Sequence, residues 1–318
     1  MNGAQERTTA LPRLPIGRYR LVFEGERLEG RSSYWGSAWR GLLGSALKRL
    51  VCITRLEECP PCFIYRSCIF SHLFLTPPPL GSVKLPGYVA APHPFVLVPG
   101  PAAEGAVELG LTLFGLANRY LAYMVHALRE GARQGLRKRT GPLTLTAVEQ
   151  ESSPGSADWR PILDSAGGLQ PLATPPAAWP DAPRRIRLEL HTPLRLRLRN
   201  ELVAGEQLEF RAFFVSLLRR ISLLSYFHTD EPLETDFKGL AERARNVRFE
   251  QASLTWRDWT RYSSRQETKL KMGGLIGSMI LNLEGGGEFW PYLWLGQWTH
   301  AGKGTSMGLG RYSIQTLA

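Results

Sequence analysis

The sequence predicts an α+β protein built from two tandem ferredoxin-like, or RRM-like, domains. The chain has 318 residues, a length that suggests two domains rather than one. Its first half alternates between period-two and helical hydrophobic patterns in the order β-α-β-β-α-β, which is the order of a ferredoxin-like domain. The second half carries a similar series of strand and helix patterns, so we interpret it as a diverged copy of the first.

The first domain is predicted to span residues 1–151. In its first helix Trp39, Leu43 and Leu47 recur every four residues, which places them on one face. The predicted elements are strands at 16–24, 94–98, 106–113 and 142–151, and helices at 32–51 and 115–134.

A second domain is predicted at residues 184–318. The segment before it, 152–183, is rich in Pro, Ala, Gly and Ser and has no hydrophobic period, which predicts a linker or a long excursion. The predicted elements of the second domain are strands at 184–200, 246–256, 269–282 and 289–296, and a helix at 206–227. A Gly-rich loop precedes the last strand pattern of the chain.

The charge balance favours a polyanionic partner. Lysine and arginine outnumber aspartate and glutamate by 39 to 28, which gives a formal net charge of +11. Such an excess suits nucleic acid first and an anionic membrane second. The N-terminal segment lacks the apolar core of a signal peptide, and no apolar run is long enough to cross a bilayer. We therefore predict a soluble, cytoplasmic protein with no membrane partner.

All four cysteines fall in one short window, at Cys52, Cys59, Cys62 and Cys68. A C-x6-C-x2-C-x5-C spacing can bring four thiols to one metal ion, and four protein ligands leave no open position for a substrate. We therefore predict a structural zinc ion in an insertion at about residues 52–92 of the first domain. An iron–sulfur cluster and a reduced loop without metal are the alternatives.

Two segments carry cations in patterns that suit RNA. Arg195, Arg197 and Arg199 alternate with leucines, which predicts a row of guanidinium groups on one strand face, able to follow a phosphate backbone. Between residues 255 and 274 aromatic residues alternate with cations, a mixture typical of single-stranded RNA binding. The alternatives are a solvated outer strand face and a core tryptophan pair with a basic rim. The candidate contacts in the second segment are Arg257, Arg261, Tyr262 and Arg265.

The stretch THAGKGTSMGLGRYSI, residues 299–314, is a Gly-rich loop followed by a strand pattern. It does not match a P-loop, because Gly304 occupies the position where that motif needs Ser or Thr. Its glycines and flanking cations predict an anionic partner, and a plain tight turn is the alternative. His300 is the histidine best placed for general acid or base chemistry. The candidate RNA contacts of the loop are Gly302, Lys303, Gly304, Gly308, Gly310 and Arg311.

Two stretches together resemble a known family. GSAWRGLLGSALKRLVC (36–52), which leads into the Cys cluster, is similar to the first helix of RAMP-superfamily CRISPR-associated proteins. THAGKGTSMGLGRYSI, which follows DWTRYSSRQ (258–266), is similar to their C-terminal Gly-rich loop. The resemblance is strongest to the Cas6 family of endoribonucleases that process precursor CRISPR RNA, and it covers most of the chain. A four-Cys cluster occurs in a subset of that family, which implies a structural role for it here.

The resemblance implies a RAMP-type enzyme that binds and cleaves CRISPR repeat RNA without a catalytic metal. The 2′-OH of the RNA attacks the adjacent phosphate and leaves a 2′,3′-cyclic phosphate and a 5′-OH. Several family members place a His on or just after the first helix, and this chain does not. We therefore expect Tyr34 and His300 to share proton transfer or the positioning of the leaving group, with Arg40 or Lys48 stabilising charge. Catalysis by arginines alone, through positioning and electrostatics, is the alternative.

The alternative function is a RAMP subunit that holds the crRNA inside a CRISPR effector complex and performs no chemistry. Other subunits of such a complex are then expected partners. For either function we expect a monomer or a homodimer.

Overall fold

The fold is taken from a computed structural model of the chain. It describes residues 10–25, 35–84, 90–103, 105–136, 140–198, 201–258, 260–263 and 268–317. The elements up to residue 183 are called the first half below, and those from residue 184 the second half.

The first half is a five-stranded antiparallel sheet with two helices. Strands β1 and β3 lie in the middle of the sheet order β2-β3-β1-β4-β5, as expected when both helical connections of a β-α-β-β-α-β unit cross the same face. A 3-10 turn, Gly115–Tyr120, leads into the second helix. The elements are β1 (Ile16–Glu24), α1 (Gly36–Val51), β2 (Phe95–Ala103), β3 (Ala106–Phe114), α2 (Leu121–Ala132), β4 (Thr144–Glu151) and β5 (Trp159–Pro161).

The second half repeats this topology. Its four-stranded sheet has the order β13-β6-β12-β9, which confirms the predicted tandem ferredoxin-like fold. The elements are β6 (Arg185–Leu194), β7 (Arg197–Leu198), β8 (Glu201–Leu202), α3 (Phe210–His228), α4 (Phe237–Arg243), β9 (Phe249–Arg257), β10 (Thr260–Ser263), β11 (Thr268–Lys271), β12 (Gly274–Asn282), α5 (Trp290–Thr299) and β13 (Tyr312–Leu317). Among the described residues, no helix has both the length and the apolar character that crossing a membrane would need.

The predicted strand at 289–296 is wrong, because these residues belong largely to helix α5. Pro291 lies in the first turn of the helix, where the missing N–H has no intrahelical partner to lose. Every side chain from Trp290 to Leu295 is buried. A helix that is buried on all sides has no polar face, so its sequence shows no helical hydrophobic period. Its aromatic residues are also of types that are enriched in strands.

The predicted strand at 184–200 is longer than the observed β6. Beyond the end of β6 the backbone N–H of Lys303 donates to the carbonyl oxygen of Arg195 at 2.9 Å. At Arg195 the Gly-rich loop therefore supplies the backbone hydrogen bond that a neighbouring strand would otherwise supply. Arg197 lies in the separate strand β7, and Arg199 lies outside the described residues. Among the described residues, Arg195 and Arg197 therefore do not share one continuous strand, and the rest of the predicted row stays a prediction.

The segment 152–183 is attached to the first sheet. Strand β5 pairs antiparallel with the end of β4, and the backbone N–H of Ala177 donates to the carbonyl oxygen of Leu14 at 3.0 Å. The excursion thus adds an edge strand to the first half.

Two hydrophobic cores share the first sheet. Leu21 and Phe23 of β1 pack with α1 and α2 in the first core. Ile16 of the same strand packs with α3 and α5 in the second core. Because the first sheet contributes to both cores, the second half packs directly against the first.

The interface between the halves brings α1 and the Gly-rich loop together. The guanidinium of Arg18 on β1 lies 3.9 Å from the ring centroid of Trp298 on α5, a distance suited to a cation–π contact. Strand β2 and helix α1 both contact the short 3-10 turn Thr305–Met307 inside the loop. The packing of the halves therefore positions the loop against the first helix.

Phe214 provides a test of the second core. Its side chain is 0% exposed, and its ring packs edge-on against Phe289 with centroids 4.8 Å apart. We expect Phe214→Ala to lower the free energy of unfolding by about 3–5 kcal/mol, because it leaves a cavity. Phe63 is 85% exposed, so Phe63→Ala should change stability by no more than about 0.5 kcal/mol. Urea denaturation measures both, and equal stability of the two variants would contradict the described packing.

Candidate functional site

The Gly-rich loop, residues 299–311, joins α5 to β13 and folds tightly. Gly302, Gly304, Gly308 and Gly310 all have positive φ angles, a region that side chains other than glycine rarely adopt. At Gly302 a Cβ atom would also lie 2.5 Å from the carbonyl oxygen of Arg195. The glycines are thus required by the shape of the loop, and their contact with RNA stays a prediction.

Helix α1 reaches this loop through Arg40. Its Nε donates to Oγ of Ser306 at 3.2 Å, and its Nη2 donates to Nε2 of His93 at 2.8 Å. The guanidinium also lies 5.3 Å from the ring centroid of Phe74. Of the described residues predicted to be catalytic, Arg40, Lys48 and His300, Arg40 is the one that the structure places at the loop with part of its side chain exposed.

Further cations surround the loop. Lys303 and Arg311 are exposed within it, and Arg197 is exposed in β7. Burial lowers the pKa of the Arg195 guanidinium, and the nearby Arg197 lowers it further. Together with Arg40 these side chains make the surface around the loop strongly positive, which suits phosphate binding.

Arg220 of α3 is a partly buried cation at the base of the loop. Its Nε donates to the carbonyl oxygen of Thr299 at 2.6 Å, at the C-terminal end of α5, where a positive charge is favourable. Burial lowers its pKa to about 9. Within the part of the chain that the structure describes, no carboxylate forms an ion pair with it. Its charge therefore adds to the positive potential below the loop.

His300 lies inside the loop rather than on its surface. It is only 2% exposed, and its Nδ1 lies 3.1 Å from the carbonyl oxygen of Leu309. A carbonyl can only accept, so Nδ1 carries the ring proton. Burial, followed by Arg220 and Arg311, lowers the pKa of His300 to about 3. This burial favours a structural role for His300, and its predicted part in acid–base chemistry stays a prediction.

His228 and His93 are also held neutral near the interface. His228 at the end of α3 donates from Nε2 to the carbonyl oxygen of Pro92 at 2.8 Å. Burial is the largest cause that lowers the pKa of each ring to about 3, and Arg220 contributes to both shifts. The histidines beside the loop are therefore uncharged at neutral pH, while the arginines carry the positive charge.

The structure separates Lys48 from the loop. It lies about two turns after Arg40 on α1, and its Nζ donates to the carbonyl oxygen of Glu57 at 3.0 Å. Lys48 lines the cavity of the Cys cluster instead of the Gly-rich loop. Tyr34 lies outside the described residues, so its predicted role is unchanged.

The four cysteines line one small cavity beside the C-terminal end of α1. The cavity has a volume of ≈ 20 Å³, enough for a single water-sized occupant. Burial raises the pKa of the Cys59 thiol, Lys48 opposes that rise, and the other three cysteines add to it. Across the described ranges, no three Cys, His, Asp or Glu side chains have the arrangement of a metal site. The donor chemistry thus fits zinc, while the sulfur atoms do not form a closed ligand set.

The basic and aromatic segment extends from the edge strand β9 into the β10–β11 hairpin. Arg257 is exposed at the end of β9, and Trp256 beside it is 44% exposed. Trp256 is therefore not part of a core pair. Arg261 and Tyr262 lie in β10, paired with β11, and Arg265 lies outside the described residues. Contact of this segment with RNA stays a prediction.

Sequence reasoning did not assign Ser306, His93 or Arg220 to this site. They lie on the loop, in a Pro-rich connection and on α3, so no local spacing links them. A signal was present for Arg220, since it lies within the strongly apolar run FRAFFVSLLRRISLLSYF. An arginine in such an apolar run usually has a specific hydrogen-bond partner.

The fold and the loop define this chain as a RAMP-type protein with tandem ferredoxin-like domains. The family model AF_1859_N, described as an N-terminal domain, matches residues 14–175. The model of the CRISPR-associated endoribonuclease Cas6 matches residues 188–312. The chain belongs to the Cas6 family.

Solved Cas6 structures share this fold over most of the chain. The Cas6 (TTHB231) product complex is 18% identical, covers 95% of this chain and 99% of its own, and has a TM-score of 0.59. The Cas6 (TTHA0078) product complex is 21% identical, with coverage of 95% and 99% and a TM-score of 0.51. The Cas6-RT-Cas1–Cas2 complex is 15% identical, with coverage of 96% and 29% and a TM-score of 0.53. No curated protein sequence matches the chain.

The buried histidines predict how stability depends on pH. His228 and His300 have pKa values of about 3 in the folded chain, against 6.5 for a free imidazole. Below pH 6.5 the unfolded chain therefore binds more protons, so stability is full above that pH and falls as the pH falls. The free energy of unfolding then falls by about 1 kcal/mol per pH unit for each ring. Urea denaturation should give a lower free energy of unfolding at pH 5.5 than at pH 7.5, and equal values would refute buried neutral rings.

Proposed function

We propose that this chain is an endoribonuclease that binds CRISPR repeat RNA and cuts the precursor into crRNA without a catalytic metal. The observation that carries this proposal is the hydrogen bond between Arg40 and Ser306, which fixes a cation of the first half against the Gly-rich loop of the second. A guanidinium held there suits stabilisation of negative charge on a reacting phosphate. The Cas6 product and substrate-mimic complexes support RNA as the substrate class.

In the proposed reaction the RNA supplies its own nucleophile. The 2′-oxygen attacks the adjacent phosphorus, the bond from phosphorus to the 5′-oxygen breaks, and the 2′-OH loses its proton while the leaving oxygen gains one. The products carry a 2′,3′-cyclic phosphate and a 5′-OH. Lys303 and Arg195 hold flanking phosphates, and Arg40 stabilises charge on the non-bridging oxygens. Positioning for in-line attack and charge stabilisation together lower the barrier.

Tyr34 is our candidate for proton transfer. It stands two positions before the first residue of α1 in the sequence, and a phenol can both donate and accept a proton. The burial of His300 favours Tyr34 over that side chain for this role.

The second candidate function is a RAMP subunit that retains crRNA in a CRISPR effector complex without cutting it. The burial of His300 favours this candidate, because it leaves the loop without its predicted acid or base. Both functions use the same cationic surface, and for both a cytoplasmic monomer or homodimer stays our prediction.

An RNA cleavage assay tests the proposed function. Purified protein is incubated with a panel of labelled CRISPR repeat RNAs in EDTA, beside versions that carry a single 2′-deoxy substitution at each position. We expect cleavage at one site, abolished by one deoxy position, because the 2′-OH at that position is the nucleophile. Tight binding without cleavage would establish the binding subunit instead. Cleavage that requires added Mg²⁺ would refute the metal-independent reaction.

We also propose that Cys52, Cys59, Cys62 and Cys68 hold a structural zinc ion. The shared cavity beside α1 and the thiol donors support this, since thiolates are preferred zinc ligands. Closing the ligand set requires the sulfur atoms to turn inward. The zinc would then anchor the loop that follows α1 and take no part in the reaction.

Metal analysis tests the zinc site. We expect about one zinc per chain by mass spectrometry in protein purified without chelator, by analogy with four-Cys structural sites. Cys59→Ser with Cys62→Ser should remove the metal and lower the melting temperature, while RNA cleavage persists in the folded fraction. Visible absorption from iron, or full stability of the double variant, would contradict the proposal.

A further inference from the structure

Both ring nitrogens of His93 have a defined partner. Nη2 of Arg40 lies 2.8 Å from Nε2, and Oγ1 of Thr76 lies 3.3 Å from Nδ1. A guanidinium can only donate, so Nε2 accepts and the ring proton lies on Nδ1, which donates to Thr76. His93 is therefore a neutral imidazole in one tautomer, with its lone pair directed at Arg40.

The surroundings of His93 hold the ring in place. It stacks on Phe95 with an interplanar angle of 8° and centroids 5.8 Å apart. Prolines on both sides of His93 restrict the backbone, and the N–H of Ala91 donates to the carbonyl oxygen of Thr76 at 2.8 Å. The acceptor presented to Arg40 is thus part of a rigid segment.

The Arg40 guanidinium binds one partner in the first half and another in the second, and it uses a different nitrogen atom for each. Nη2 is bound to His93 and Nε is bound to Ser306. Because the guanidinium is planar, fixing two of its nitrogen atoms determines the plane of the group. A free arginine side chain samples many rotamers, and this pair of bonds selects one of them.

We propose that His93 is a positioning residue for RNA cleavage, which holds the Arg40 guanidinium in the plane that faces the scissile phosphate at the Gly-rich loop. The inference rests on the proposed function, since Arg40 must act on a phosphate for its orientation to affect the rate. His93 itself does not touch the substrate.

The charges that face His93 are consistent with this role. Burial, then Arg40, Arg220 and His228, lower the pKa of His93 to about 3. A protonated ring would lose the acceptor and repel Arg40, so the surrounding cations keep the imidazole in the form that binds the guanidinium.

A set of variants tests the inference with the labelled RNA described above. His93→Leu removes the acceptor, and His93→Gln offers an amide oxygen in its place. His126 provides the matched control, because its Nδ1 accepts from Arg129 on α2 at 2.9 Å in the same kind of bond away from the loop. The single-turnover rate constant, the dissociation constant for a 2′-deoxy RNA and the melting temperature are measured for each variant. The double variant Arg40→Ala/His93→Leu completes a mutant cycle.

We expect His93→Leu to lower the rate constant by about 10- to 100-fold, because a misplaced catalytic group slows the reaction by factors of that size. The dissociation constant should change by less than about two-fold, because phosphate contacts elsewhere on the surface carry most of the affinity. His93→Gln should recover part of the rate, and His126→Leu should match the wild type. In the Arg40→Ala background, His93→Leu should have no further effect, since it acts through Arg40.

Two results would overturn the inference alone: a wild-type rate for His93→Leu, or an equal loss of rate in both backgrounds. If His93→Leu does not fold, the same cycle is run with His93→Gln. A loss of rate from His93→Gln that is equally large with and without Arg40→Ala would then also overturn the inference. Absence of cleavage by the wild-type protein overturns the proposed function and this inference together.

Discussion

The packing of the second half against the first sheet is the contact on which the candidate site depends. One sheet contributes side chains to both cores, so the two halves cannot separate without exposing apolar surface from each. This interface places α1 beside the Gly-rich loop and allows Arg40 to reach Ser306. The loop itself folds tightly because its glycines adopt positive φ angles. A cation of one half and a backbone turn of the other thereby form a single surface.

Charge is distributed unequally along this interface. Arg18 lies partly buried between the halves and pairs with Glu151, whose carboxylate also accepts from backbone N–H groups. Arg220 is partly buried and, among the described residues, forms no ion pair with a carboxylate; the C-terminal carbonyl of α5 stabilises it instead. The first arrangement is a net-neutral ion pair within the first half, and its guanidinium also contacts Trp298 of the second half. The second leaves a net positive charge at the base of the loop, and the adjacent neutral histidines do not compensate it. A polyanion is the partner that such a surface favours.

Much of the fold could be predicted from the sequence, because strands and amphipathic helices with one polar face leave a period in the chain. Strands β1 to β4 and both helices of the first half follow their patterns closely, as do α3 and β9, whereas the strand predicted at 269–282 is divided into β11 and β12. Helix α5 was predicted as a strand because all of its faces are buried and no polar side remains. Strand β6 ended earlier than its alternation suggested, because the loop bonds to the backbone at Arg195. Both errors arise where tertiary burial or a distant segment overrides the local pattern.

For the candidate site, the sequence by itself determined which chemical groups are available: the glycines, the arginines around the loop, the clustered thiols and the lack of a histidine on α1. Only the tertiary structure decided which of them meet. It joined Arg40 to Ser306 and His93, moved Lys48 to the Cys cavity, and buried His300. Residue type and local period are properties of neighbouring positions, whereas these contacts link segments separated by up to 266 residues along the chain. They are fixed by the packing of two domains, which no local pattern encodes.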